Sequence, residues 1–243
     1  MRPTLRRTAA IGVLALVTVL GGCSDAAAPE DDASTAPTEQ TQEPAPTAEP
    51  TPEPTTAAPV VTTLPPEAML TGLAFDSDGV EPVVIEPLDA WALPESCAAG
   101  GPSTAVVSRG VAYGDGAFEA TVSTQQVAVF ADADAATTEA QRLADVLSAC
   151  AGTAPDGQTV YAVEDVAVGA QGTGLVVDYY GASATGSGDD ALGYYLVTTR
   201  RGNAVTLVGN LGGEASIGTS REDAVASSQA AWELLCIYDS AGC

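Results

Sequence analysis

Apolar residues fall into three regimes along the 243-residue chain. Residues 11–20 form a short uncharged, mostly apolar run. Residues 24–66 hold almost nothing large and apolar, and from there to Cys243 short segments alternate or recur at helical spacing. In that last region Pro65 and Pro66 precede a predicted short helix over 67–73, since proline is tolerated at a helix start. Residues 83–85 predict a brief strand, and 105–113 and 118–130 predict two more, joined by Gly114, Asp115 and Gly116 as turn chemistry. The best-defined helix is 135–150, where Ala136, Ala140, Leu143, Val146, Leu147 and Cys150 share a face. Asp132 or Asp134 caps it, and Gly152 stops it. Strands are predicted over 159–163, 174–180, 192–199 and 204–211. The last two form a hairpin about Arg200-Arg201-Gly202-Asn203, where Gly and Asn tolerate positive φ. A polar loop covers 181–190. A closing helix over 221–236, capped by Thr219 or Ser220, buries Val225, Ser228, Trp232 and Leu235.

Strands joined by short turns predict a mainly antiparallel sheet. Helices at intervals make the class α+β, with those helices packed on one face and two disulfides. No internal repeat at a solenoid or propeller period is present.

The first regime is an export signal. Arg2, Arg6 and Arg7 precede the apolar run, and Leu20-Gly21-Gly22-Cys23 follows it. A basic start, an apolar stretch and small residues before a cleavage point are the parts of a secretory signal. The run is far below the roughly 20 residues that span a bilayer. The cysteine at the junction resembles the lipobox of bacterial lipoproteins. That resemblance implies a signal peptide over 1–22 and acylation of Cys23 by palmitate-type chains. It also implies attachment to the outer face of the cell membrane. Residues 23–63 then read as the lipidated cysteine and a Pro-, Thr- and Glu-rich linker. This composition cannot offset the entropy of ordering. Proline and like charge make it a semi-stiff spacer with a reach of roughly 130 Å at most, and its Thr-Pro content is a candidate for O-glycosylation. Residues 64–243 read as one domain of ordinary size.

Charge narrows the partners. After loss of the signal, five arginines face 32 acidic residues, a net charge of −27, and the chain has no lysine and no histidine. Such a surface repels phosphate backbones and anionic headgroups, so no nucleic acid partner is expected and the membrane is held by acyl chains alone. Cys97, Cys150, Cys236 and Cys243 are an even set in an exported domain and read as two disulfides. Three pairings exist. The short separation of the last two favours Cys97–Cys150 with Cys236–Cys243. Zinc is disfavoured, because there is no Cys-x-x-Cys and no histidine.

The catalytic constellations are incomplete. Without His or Lys no Ser–His triad is available, and no Gly-x-Ser-x-Gly elbow occurs. The segment 169–174 is glycine-rich but lacks the P-loop lysine and precedes a strand, so it reads as a turn. Asp76/Asp78, Asp132/Asp134, Glu164/Asp165 and Asp189/Asp190 are carboxylate pairs of the kind that bind calcium or act as acid and base on a glycoside. In so acidic a chain, caps and solvated loops account for them more simply. No metal and no cofactor is expected. The scarce arginines are the better candidates, because guanidinium binds carboxylate or phosphate through two parallel hydrogen bonds. Arg109, Arg200 and Arg201 are singled out for an anionic ligand, weighed against pairing with neighbouring carboxylates. Tyr180 and Tyr195 are singled out as members of tyrosine pairs that alternate faces and can line a cleft.

In order along the chain, the motifs resemble the extracellular sensor domain of PknH-like actinobacterial serine/threonine kinases and of stand-alone lipoproteins. The carriers are the opening Leu64-Pro65-Pro66-Glu67, a first cysteine at Pro94-Glu95-Ser96-Cys97, and a strand running directly into a helix that ends at Cys150. The late strand–turn–strand around Arg201-Gly202-Asn203 before a closing helix completes the set. The resemblance implies two disulfides, a cleft beside an antiparallel sheet and a sensing role. The expected function is therefore a membrane-anchored extracytoplasmic lipoprotein with a ligand-binding, sensor-like domain and no enzymatic activity. Its partner is an unidentified small ligand or envelope protein. The alternatives are an envelope scaffold and, less favoured, a carboxylate-only hydrolase of wall polysaccharide.

Overall fold

The structure is a computed structural model that describes residues 60–116, 120–185 and 188–243. The signal, Cys23 and the linker up to residue 59 lie outside the described residues. The folded unit is built on one sheet of eight strands: β1 (Val83–Ile85), β2 (Val107–Tyr113), β3 (Val122–Val129), β4 (Gly152–Thr153), β5 (Val160–Asp165), β6 (Ala170–Asp178), β7 (Gly193–Arg201) and β8 (Ala204–Leu211). Every neighbouring pair is antiparallel, in the order β1-β2-β3-β8-β7-β6-β5-β4. The helix α1 (Ala133–Cys150) carries the chain from the middle of the sheet to its far edge. A meander then returns through β4–β8, so that β8 closes against β3. The helix α2 (Ile217–Leu234) follows.

The antiparallel α+β class and both disulfides are as the sequence indicates. The placement of the helices is not. Ala128, Phe130, Leu175, Val177, Leu196, Val205 and Leu207 pack against Ala136, Ala140, Leu143 and Leu147 of α1. Their alternates Val176, Tyr195 and Val197 pack against Ile217 and Ala224 of α2, and Val208 packs against Ala231. Successive strand residues face opposite sides, so the two helices cover opposite faces of the sheet. Val127, Ala128, Val129 and Phe130 are all fully buried. A continuous apolar run of this kind is what a strand covered on both faces looks like.

Helix starts follow side-chain caps. The Asp132 carboxylate accepts from the Ala135 amide at 2.8 Å, so α1 begins slightly earlier than the apolar spacing indicates. Ser216 accepts from the Thr219 amide at 3.3 Å, which starts α2 four residues before the expected position. Its buried face is Ile217, Ser220, Ala224, Ser228 and Ala231, leaving Val225 and Trp232 partly buried. No α-helix forms over 67–73. Two single 3-10 turns, Pro66–Ala68 and Gly72–Phe75, flank an extended Met69 instead. The reason is a tertiary contact: the Leu70 amide donates to the buried Gln125 side chain at 2.6 Å, and Leu70 itself is buried.

Cys97–Cys150 (Cα–Cα 5.4 Å) ties the irregular segment before β2 to the end of α1. Cys236–Cys243 (Cα–Cα 4.8 Å) closes a loop at the C-terminus. Both separations are ordinary for disulfides. No helix among the described residues is long and apolar enough to cross a membrane.

Candidate functional site

The β7–β8 hairpin turns over Gly202 and Asn203 alone, so Arg200 and Arg201 are the last residues of β7 and not its tip. Gly202 has φ +53°, and the space a side chain would need is taken by the Tyr238 carbonyl. Asn203 is buried and acts as a clasp. Its amide group donates to the Val61 carbonyl at 2.9 Å and the Phe130 carbonyl at 2.7 Å. Its backbone amide donates to the Tyr238 carbonyl at 3.4 Å. Tyr238 in turn donates its hydroxyl to the Thr63 carbonyl at 2.7 Å. Burial pushes that phenol up to about 12, with the charge of Arg109 acting in the opposite sense.

These contacts gather the hairpin end, residues 60–61 and the C-terminal loop around a half-enclosed pocket of about 880 Å³. All six residues between Cys236 and Cys243 line it, so the second disulfide encloses one wall. Trp232 supplies an aromatic surface and Ile237 an exposed apolar one. A volume near the upper end of the roughly 300–1,000 Å³ range suits a metabolite-sized ligand.

Of the residues singled out from sequence, the structure brings Arg200 and Arg201 to this pocket and leaves the others elsewhere. Opposite Ala204, Arg201 lies on the α2 face. Its guanidinium donates to the carbonyls of Trp232 (3.1 Å) and Glu233 (3.3 Å) at the end of α2, stacks 4.0 Å from the Trp232 ring centroid, and stands 3.5 Å from Asp239. Arg201 is spent on capping the helix. Opposite Val205, Arg200 lies on the α1 face. It donates through Nε to Gln171 (2.7 Å) and through Nη1 to the Gly202 carbonyl (2.9 Å). Arg109 pairs with Glu86 at 2.8 Å, Arg142 with Glu139 at 2.6 Å, and Arg221 with Glu164 and Asp189. Among the described residues, Arg200 is thus the arginine with no carboxylate partner.

Tyr180 follows β6 at the end remote from Ala170, which lines the pocket; it is exposed and edge-on to Tyr179. Tyr195 is buried in mid-β7 and does not line the pocket: it crosses Gly174 of β6, donates its hydroxyl to Glu164 at 3.1 Å and lies beneath Arg221. A glycine on the neighbouring strand makes room for the ring, and that cross-strand pairing is not visible before the register is known. Glu164 and Asp189, members of two carboxylate pairs, converge on Arg221. Asp76 lies with Asp223 at a smaller depression of about 230 Å³. Among the described residues no three acidic, Cys or His side chains cluster to hold a metal ion. The residues that sequence reasoning missed are Asn203 as a clasp, Trp232 as a pocket wall and the loop 237–242. The only signal for the last was its enclosure by two cysteines.

The fold defines an extended antiparallel sheet with one helix on each face and a pocket at the hairpin end. Among solved structures, the extracellular domain of PknH from Mycobacterium tuberculosis shares this fold, with a TM-score of 0.50 and 17% identity. The match covers 73% of this chain and 100% of that one. No protein-family model matches the sequence, and no curated protein does.

Proposed function

We propose that this chain is an extracytoplasmic lipoprotein, anchored through Cys23, whose domain binds a ligand as a sensing module and performs no catalysis. The fold shared with an extracellular domain supports the location, and the signal and lipobox pattern of residues 1–23 supports the anchor. The observation that carries the binding role is the pocket where Arg200 stands, among the described residues, without a carboxylate partner beside apolar and aromatic walls. A concave, partly apolar site with a few polar groups is the form that small-molecule sites take. Thermal-shift screening of the purified chain against envelope metabolites tests this. A saturable rise in melting temperature supports it, and uniform absence of shifts counts against it.

A second reading, an envelope interaction module, has one specific observation in its favour. The edge strand β1 exposes Val83, Val84 and Ile85 together. An open edge with apolar side chains is a template for pairing with another chain. Cross-linking at β1 that captures a single envelope protein, with the pocket indifferent to every small molecule, would favour this reading over the first.

A further inference from the structure

Resting on the reading of the hairpin-end pocket as a ligand site, we infer the class of its ligand: a small organic monoanion with an apolar body, its charged group held by Arg200. Of the five arginines in the folded unit, four are committed to carboxylates, as an acidic protein allows at little cost. Among the described residues Arg200 is the exception, although acidic residues far outnumber basic ones. A guanidinium carries five N–H donors, and Arg200 commits one to Gln171 and one to the Gly202 carbonyl. Both acceptors are neutral. They orient the fork without cancelling its charge, and the remaining donors suit a two-oxygen anion.

The rest of the pocket sets the ligand's other features. Asp239 lines the same pocket and already faces Arg201, so a second negative charge on the ligand would meet a carboxylate with no further free cation among the described residues to offset it. That favours a carboxylate over a doubly charged phosphate ester. Ile237 and the indole of Trp232, one face of which Arg201 covers, provide surface for a ring or chain beyond the charged group.

The test uses the purified full chain and four probes: 4-phenylbutyrate, its amide, dodecanoate and 4-phenylbutyl phosphate. The chain has two tryptophans, so an amide spectrum contains two indole N–H signals. Trp232 lines the pocket, while Trp91 is held by Glu139 away from it. Titrations therefore report affinity and place together. The expected result is movement of the Trp232 signal with both carboxylates, binding of the amide at least about tenfold weaker, and the phosphate no tighter than the carboxylate; losing one charged hydrogen-bonding group accounts for that factor. Arg200→Gln should bring 4-phenylbutyrate down to the amide's affinity, Arg200→Lys should restore part of the difference, and Arg221→Gln, at the opposite end of α2 and outside the pocket lining, should leave it unchanged. The ratio of acid to amide on the unaltered protein does not depend on how any variant folds. Whichever of phenylbutyrate and dodecanoate binds tighter separates a compact acid from a lipid-derived chain as the source. Equal binding of acid and amide at Trp232 overturns the anionic class and leaves the pocket reading standing. No movement of Trp232 with any probe at millimolar concentration overturns both.

Discussion

Arg201 lies 4.0 Å from the centroid of the Trp232 ring, and its Nη1 donates to the carbonyl of the same residue. One arginine thereby caps α2 and fixes the aromatic wall of the pocket. Its neighbour Arg200, on the opposite face of the same strand, is left with its charge unopposed by carboxylate among the described residues. Two adjacent cations that look equivalent in sequence have separate tasks.

That separation is measurable. Arg201→Gln should lower stability by ~2 kcal/mol, from a partly buried cation–π contact and lost hydrogen bonds to the helix end. Arg200→Gln, whose partners are neutral and partly exposed, should cost ~1 kcal/mol or less. Urea midpoints for the two variants decide it; equal losses would contradict the division.

The disulfides should also differ. Cys97–Cys150 spans 53 residues of sequence and Cys236–Cys243 spans 7. In the chain-entropy account their loops are worth about 4 and about 2 kcal/mol. Cys97→Ala should depress the melting curve strongly, within the ~2–5 kcal/mol seen for native disulfides. Cys243→Ala should depress it less and weaken ligand binding more, since the loop it closes forms a pocket wall. An unchanged curve for Cys97→Ala would mean that this cysteine is not paired.

How much of this was legible beforehand depends on the range of the interaction. α1 was legible because its cap, its apolar face and its terminal glycine all lie within twenty residues. The hairpin was legible because Gly202-Asn203 is a local turn signal. The early helix was not, since its backbone is taken by Gln125, 55 residues away from Leu70 in sequence. The side of the sheet on which each helix lies depends on how a connection crosses, and periodicity carries no such information; the unbroken burial of 127–130 is its only trace. In the site, Arg200 and Arg201 were identifiable by scarcity. Which of them is free depends on Trp232 and Asp239, more than thirty residues on.

Trp91 and Arg142 both hold Glu139. The buried carboxylate accepts from the Trp91 indole at 2.8 Å and from Arg142 through two bonds of 2.7 and 2.6 Å, while Arg142 also reaches the Ala99 carbonyl. Glu139→Ala leaves the buried Trp91 N–H without its acceptor and Arg142 without its carboxylate, holding only the Ala99 carbonyl, and should cost ~2–3 kcal/mol. Glu139→Gln keeps an acceptor for Trp91 and should cost about half as much. Denaturation midpoints, with the Trp91 indole signal as a local reporter, check the order.

Acid stability should depend on Asp178, which is fully buried. Burial raises its pKa, but the Ser183 hydroxyl and the amides of Ser183, Tyr180 and Ala182 together outweigh this and hold it below the usual range. A carboxylate whose folded-state pKa lies below its unfolded value stabilises the fold fully above about pH 4, and the contribution disappears as pH falls through the folded-state value. Asp178→Asn should therefore be less stable than the parent at pH 7 by ~1–3 kcal/mol, with the gap narrowing towards pH 2. A gap that does not change with pH would show that charge at this position is irrelevant.

Anchoring is separable from folding. Cys23→Ala should shift the protein from the membrane fraction to the soluble one, with the melting temperature of the domain unchanged. Persistence in the membrane fraction would rule out acylation as the tether.

The proposal that this is an exported, acyl-anchored binding domain is tested most directly by the intact mass of the protein isolated from its own membrane. The account predicts a chain that begins at Cys23, carries added acyl mass there, and is short of four hydrogens for two disulfides. A chain beginning at Met1, of unmodified mass and with every thiol free, would contradict it.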